Sequence, residues 1–174
     1  MKSITANKST IHFNKHCYTA LNKHIKKHRF STIFILVDEN THALCLPVLL
    51  EQLETTSTIE IIEIESGEIN KTIDTCVGVW NTLSDLNGDR KSLLINIGGG
   101  VITDLGGFVA STFKRGIAYI NIPTTLLSMV DASVGGKTGV DLGTLKNQIG
   151  VTSIPDLVLI DIERIEIINV EGKQ

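Results

Sequence analysis

Short apolar runs rich in β-branched residues alternate along this chain with longer segments that carry an apolar stripe. Residues 32–38 (TIFILVD) form an almost uninterrupted apolar run, the signature of a strand buried on both faces. Residues 41–54 (THALCLPVLLEQLE) predict a helix with Thr41 as its N-cap. Pro47 lies inside that segment, so the helix must kink or start again near residue 46. Residues 58–65 predict a second strand. Residues 70–87 place Ile73, Val77, Trp80 and Leu83 at helical spacing. A strand over 92–98, a helix over 101–112 and a strand over 116–123 follow. Strand and helix in alternation predict an α/β fold: a Rossmann-like open, mostly parallel sheet with helices on both faces and right-handed crossovers.

Such a sheet binds ligands beyond the carboxyl ends of its strands. The residues at those positions therefore carry the candidate chemistry. Asp38 and Asn40 follow the first strand and can hold a ribose or an adenine edge. Glu68 and Lys71 follow the second, after a turn at Gly67. Gly98, Gly99 and Gly100 follow the third and open a helix, whose free N–H groups and positive dipole end suit an anion such as a pyrophosphate. Taken alone the triple glycine is weak, because a strand-to-helix turn also uses glycine for geometry, and the pattern departs from G-x-G-x-x-G.

Beyond Pro123 the composition shifts to small and polar residues. "GGKT" (135–138) invites comparison with a phosphate-binding loop. The glycine required five positions before Gly136 is Asp131, and the preceding segment reads as helical, so nucleoside triphosphate hydrolysis is excluded. Asp131, Lys137, Lys146 and Asn147 instead suggest a site for a polyanionic small molecule, with Arg115 as a further clamp. Lys137, between glycines and a threonine, has little helical or strand purpose.

Composition narrows the function classes. The 174 residues are 42% hydrophobic and 20% charged, with net charge −3, which fits one globular domain and gives no reason to expect nucleic-acid binding. The lysines and histidines of residues 22–30 read as the polar face of an early helix. Cys17, Cys45 and Cys76 are widely spaced and odd in number, which points to reduced thiols in a cytoplasmic protein. No run is long enough to span a membrane.

The string GGGVITDLGGFVASTFKRGIAYINIPTTLLSMVDASVGGKTGV, followed by LKNQIG, resembles the 3-dehydroquinate synthase family. The similarity runs from about residue 92 to 161, and more loosely back to 38. The resemblance implies an enzyme of the shikimate pathway that converts 3-deoxy-D-arabino-heptulosonate 7-phosphate to 3-dehydroquinate and phosphate, using NAD and a divalent metal, zinc or cobalt. By resemblance Asp38, Asn40, Glu68, Lys71, Gly99, Gly100, Val101, Asp104, Thr124, Thr125 and Lys146 are NAD contacts. Arg115, Asp131, Lys137 and Asn147 are substrate contacts, and Asp131, Lys137 and Asn147 serve catalysis. The counterpart of Arg115 reaches a neighbouring subunit's site, which implies a homodimer.

Three departures stand out. Thr103 occupies a position where the family usually has glycine, and Asp141 one where many members have asparagine. After PDLVLIDIE the chain reads RIEIINVEGKQ where the family has a TLPxRE-like segment and then a helical domain with the metal ligands. None of His12, His16, His24, His28 or His42 is positioned to replace those ligands. The expectation is a single NAD-binding domain over 1–174, without the metal-binding domain and inactive alone. The alternatives are a metal-dependent polyol or glycerol-phosphate dehydrogenase of the same architecture, which should lack VDASVGGKTGV, and a non-catalytic nucleotide-binding module.

Overall fold

In a computed structural model the described residues are 1–6, 9–132 and 135–165, and the side chains of residues 6, 131 and 132 also lie outside the description. The chain forms β1 (Ile4–Ala6), β2 (Ser9–Phe13), α1 (His16–His28), β3 (Thr32–Asp38), α2 (Glu39–Leu44), α3 (Leu46–Gln52) and β4 (Thr58–Ile64). It continues with α4 (Ile73–Asp85), β5 (Leu93–Gly98), α5 (Gly100–Thr112), β6 (Ala118–Pro123), β7 (Lys137–Leu142), β8 (Leu145–Thr152) and β9 (Leu157–Ile160). Seven strands make one sheet in the order β1-β2-β9-β6-β5-β3-β4, and β7 and β8 pair separately. Only the β1–β2 pair of the large sheet is antiparallel.

The apolar runs explain the layers. Ile33, Ile35 and Val37 of β3 point to one face and pack with Leu21 and Ile25 of α1 and Leu46 and Leu49 of α3. Phe34 and Leu36, one residue out of phase, point to the other face and meet Val79 of α4 with Leu105 and Phe108 of α5. Strands buried on both faces need no polar alternation, which is why β3, β5 and β6 read as continuous apolar runs. From β3 the chain moves outward to β4, then returns to the other side of β3 for β5. The reversal point, where such sheets open a crevice, therefore lies between the carboxyl ends of β3 and β5.

Some boundaries differ from expectation. The segment 41–54 is two helices broken at Cys45, with Pro47 in the first turn of α3. Asp38, rather than Thr41, caps α2; Thr41 closes a capping box by returning its hydroxyl to the Asp38 N–H. The helix expected from residue 70 starts at Ile73 behind the Thr72 cap, and Glu68–Asn70 form a single 3₁₀ turn. Lys137 does have a strand purpose: it opens β7, paired with Thr152. Strands β1, β2, β7, β8 and β9 were not expected from the pattern.

Candidate active-site cleft

The glycines between β5 and α5 serve packing before any ligand. A Cβ on Gly98 would stand 2.5 Å from the Ile102 Cβ, and one on Gly99 would stand 2.9 Å from the Thr125 Cγ2. Thr124 N–H donates to the Gly98 carbonyl (2.9 Å), joining the ends of β5 and β6. Gly99 is the N-cap of α5 and has no side chain to satisfy the first N–H groups of that helix. Beside this turn the Thr124 Oγ1 is buried with no hydrogen-bond partner among the described residues. A free helix N-terminus, a turn stripped of Cβ atoms and an orphaned hydroxyl suit a phosphate-bearing ligand. Thr103, where glycine was expected, donates its hydroxyl back to the Gly99 carbonyl (3.2 Å) and packs inside the helix–sheet layer.

The next two glycines of α5 bring the helix against the sheet and the hairpin. A Cβ on Gly106 would lie 2.1 Å from the Asn96 Oδ1, and one on Gly107 2.6 Å from the Thr138 Cγ2. Asn96 donates to the Asn121 Oδ1 (3.0 Å) in the buried layer below. This pair was missed from sequence; an asparagine inside an apolar strand run, opposite another in the next strand, is the signal that could have found it.

The β7–β8 hairpin forms the facing wall. Gly139 stands opposite Gly150, and a Cβ on Gly150 would fall 1.9 Å from the Thr138 carbonyl oxygen, so the strands meet closer there than a side chain permits. Val140 is buried in the same core cluster as α5. Between hairpin and helix lies a cleft of about 610 Å³ lined by residues that include Asp104, Lys137, Asn147 and Gln148.

Several expected site residues converge here. Lys71 is 4% exposed and donates from Nζ to the Asp104 Oδ2 and the Asn147 Oδ1, both at 2.7 Å. Lys146 Nζ lies 3.3 Å from the Glu68 Oε1 at the rim. Lys137 is exposed at the cleft wall. Asp104 is not a helix-start charge: it stands in the second turn of α5, and its carboxylate faces Lys71. Asp38 accepts from the N–H groups of Asn40 and Thr41 (both 2.9 Å) at the end of β3. Burial pushes its carboxyl above the usual range, against the lowering effect of those two bonds. Thr125 exchanges hydrogen bonds with Ser128 and so shapes the turn after β6.

Arg115 and Asp131 are the remaining expected substrate contacts. Arg115 follows the last turn of α5, is exposed, and does not line this cleft. Lys114, Arg115 and Gly116 all hold positive φ there. The side chain of Asp131 lies outside the described residues. Among the described residues no group of three or more His, Cys, Asp or Glu side chains is placed to hold a metal ion, so a divalent metal does not fit these residues. None of the described helices is long and apolar enough to cross a membrane.

Comparison with known proteins identifies the family. The 3-dehydroquinate synthase of Parabacteroides distasonis is 47% identical over 133 residues, 76% of this chain and 37% of that protein. The 3-dehydroquinate synthase of Pyrococcus abyssi is 46% identical over 143 residues, 79% of this chain and 42% of that protein. The chain thus spans less than half the length of these relatives. A solved 2-deoxy-scyllo-inosose synthase, complexed with carbaglucose-6-phosphate, NAD+ and Co2+, superposes with a TM-score of 0.82 at 25% identity, over 92% of this chain and 45% of that one. The family described as 3-dehydroquinate synthase N-terminal matches residues 61–173, from β4 through the glycine turn and the hairpin, and the chain belongs to that family.

Proposed function

We propose that this chain is the cofactor-holding part of a 3-dehydroquinate synthase: it binds NAD over the carboxyl ends of β3, β5 and β6 and holds the phosphate-bearing substrate against the hairpin. The observation that carries the reading is the meeting of Lys71, Asp104 and Asn147 in one cleft, beside the uncapped start of α5. NAD, when bound, supplies the site with a hydride acceptor that returns the hydride later in the cycle. The backbone N–H groups at Gly100 and Val101 receive its pyrophosphate, with the Thr124 and Thr125 hydroxyls beside them. Asp38 and Asn40 face the ribose end, and Glu68 orients Lys146 at the rim. The similar cyclase solved with NAD+ and a sugar-phosphate analogue supports the ligand class.

The substrate in this reading is 3-deoxy-D-arabino-heptulosonate 7-phosphate, which loses phosphate and closes to the carbocycle 3-dehydroquinate. Lys137 supplies a point charge for the phosphate, and Asn147 supplies an amide for a hydroxyl. Asp131 is proposed with them as a substrate contact. The divalent metal of the full reaction is assigned to no residue here. Arg115, which does not line this chain's own cleft, serves the site of a second subunit in a homodimer. The reading places the protein in the cytoplasm.

Calorimetric titration of the purified chain tests this. NAD should bind saturably at one site, and Lys137→Ala should weaken binding of the heptulosonate phosphate while sparing NAD. A folded chain that binds no NAD overturns the proposal, and an equal loss of both ligands overturns the role of Lys137.

A further inference from the structure

The pairing of β7 with β8 is regular from Lys137 to Val140 and shifts register before Leu142, with Asp141 of β7 facing the longer stretch Lys146–Gln148 of β8. Asp141 N–H donates to the Lys71 carbonyl (2.9 Å), in the segment between β4 and α4. Its carboxylate turns across the hairpin, where Oδ1 accepts from the Asn147 N–H (2.8 Å). Asn147 itself holds a left-handed backbone, φ 53°, a conformation that asparagine adopts more readily than most other side chains. Bulges of this type re-aim side chains beside functional sites.

One residue therefore ties together both partners of a single contact. Lys71 is fixed by its carbonyl and Asn147 by its N–H, and the Lys71 Nζ meets the Asn147 Oδ1 at 2.7 Å. We propose that Asp141 is a positioning residue of the cleft: it clamps the β7–β8 hairpin to the Lys71 segment and so sets Lys71 and Asn147 for ligand. It touches no ligand itself. The carboxylate acts as a hydrogen-bond acceptor, a role that an amide at the same position also fills. The inference rests on the NAD reading only for its affinity readout.

The test compares Asp141→Ala with Asp141→Asn in the 174-residue chain, by NAD titration and by hydrogen exchange of the Asn147 amide in ¹⁵N-labelled protein. Asp141→Ala should weaken NAD about tenfold, the scale of one lost hydrogen bond to a charged group, and should expose the Asn147 amide to exchange. Asp141→Asn should retain most of the affinity and the protection. Unfolding midpoints measured alongside separate this from general destabilisation, since exchange at the core amides of β5 should not change. Two results overturn the proposal: wild-type protection of Asn147 in Asp141→Ala, or equal loss in both variants, which would make the charge the active property. If the wild-type chain binds no NAD, the cofactor reading fails, while the Asn147 exchange still decides whether Asp141 positions it.

Discussion

The Lys71 ammonium is buried against the Asp104 carboxylate at 2.7 Å, joining the segment before α4 to the second turn of α5. The two side chains are 5% and 19% exposed, so the pair stands in a medium that screens weakly. Removing the cation leaves a mostly desolvated carboxylate without that partner. Lys71→Met should therefore cost about 2 kcal/mol, below the range for fully buried pairs because Asp104 keeps some solvent. Asp104→Asn, which retains an acceptor, should cost less. Urea unfolding of the two variants checks the order.

The glycines of α5 and its approach give a graded series. Gly106→Ala drives a methyl into Asn96, whose amide is held by Asn121 in the fully buried layer. Gly98→Ala meets Ile102 at Cβ, which can move only with the helix backbone. Gly99→Ala meets the terminal methyl of Thr125, on a half-buried side chain. Losses of about 3, 2 and at most about 1 kcal/mol should follow in that order, the scale of overpacking. Thermal unfolding of the three variants measures it, and Gly99→Ala being the worst of them would contradict the packing.

This series also shows what the chain makes legible. The doubly buried strands β3, β5 and β6 announce themselves as apolar runs, and the residues after them are the candidate site residues. The hairpin does not, because β8 is exposed along nearly its whole length and so carries no alternation. Its close crossing at Gly139 and Gly150 is a fact about two backbones meeting, which spacing along one strand cannot express. The glycines after β5 read along the chain as room for a ligand; their second reason, the close approach of Ile102 to Gly98 and of Thr125 to Gly99, exists only in three dimensions. Arg115 reads along the chain as one more cation of the cluster, but it follows the carboxyl end of α5 and does not line the cleft.

Asp38 links stability to pH. Its carboxyl is raised by burial, so the folded chain holds that proton to higher pH than the unfolded chain. The resulting stabilisation is complete below the unfolded pKa and is lost as pH rises through the folded value. At pH 7 the ionised carboxylate is thus a burden that the α2 cap requires. Asp38→Asn keeps the cap acceptor without the charge and should melt at or above wild type at pH 7, with the difference shrinking as pH falls toward 4. Asp38→Ala loses the cap and should cost about 1 kcal/mol. Melting curves across this pH range decide the matter.

All three cysteines are at most 1% exposed, and burial pushes the Cys17 and Cys76 thiols up to about 12. At pH 8 about one thiol in ten thousand would be ionised at these two sites. Ellman's reagent should therefore label almost nothing in the native chain and three thiols after denaturation. Rapid labelling of a native thiol would show that its helix opens readily.

Among the described residues the hairpin shares no strand ladder with the large sheet. It is held by Val140 in the core, by Thr138 against Gly107, and by the bonds around Lys71. Half of the cleft can thus be lost while every strand of the main sheet stays paired. A preparation could keep most of its secondary structure by circular dichroism, melt cooperatively, and still lack one wall of the cleft. The quality control that matters for this protein is the state of one hairpin.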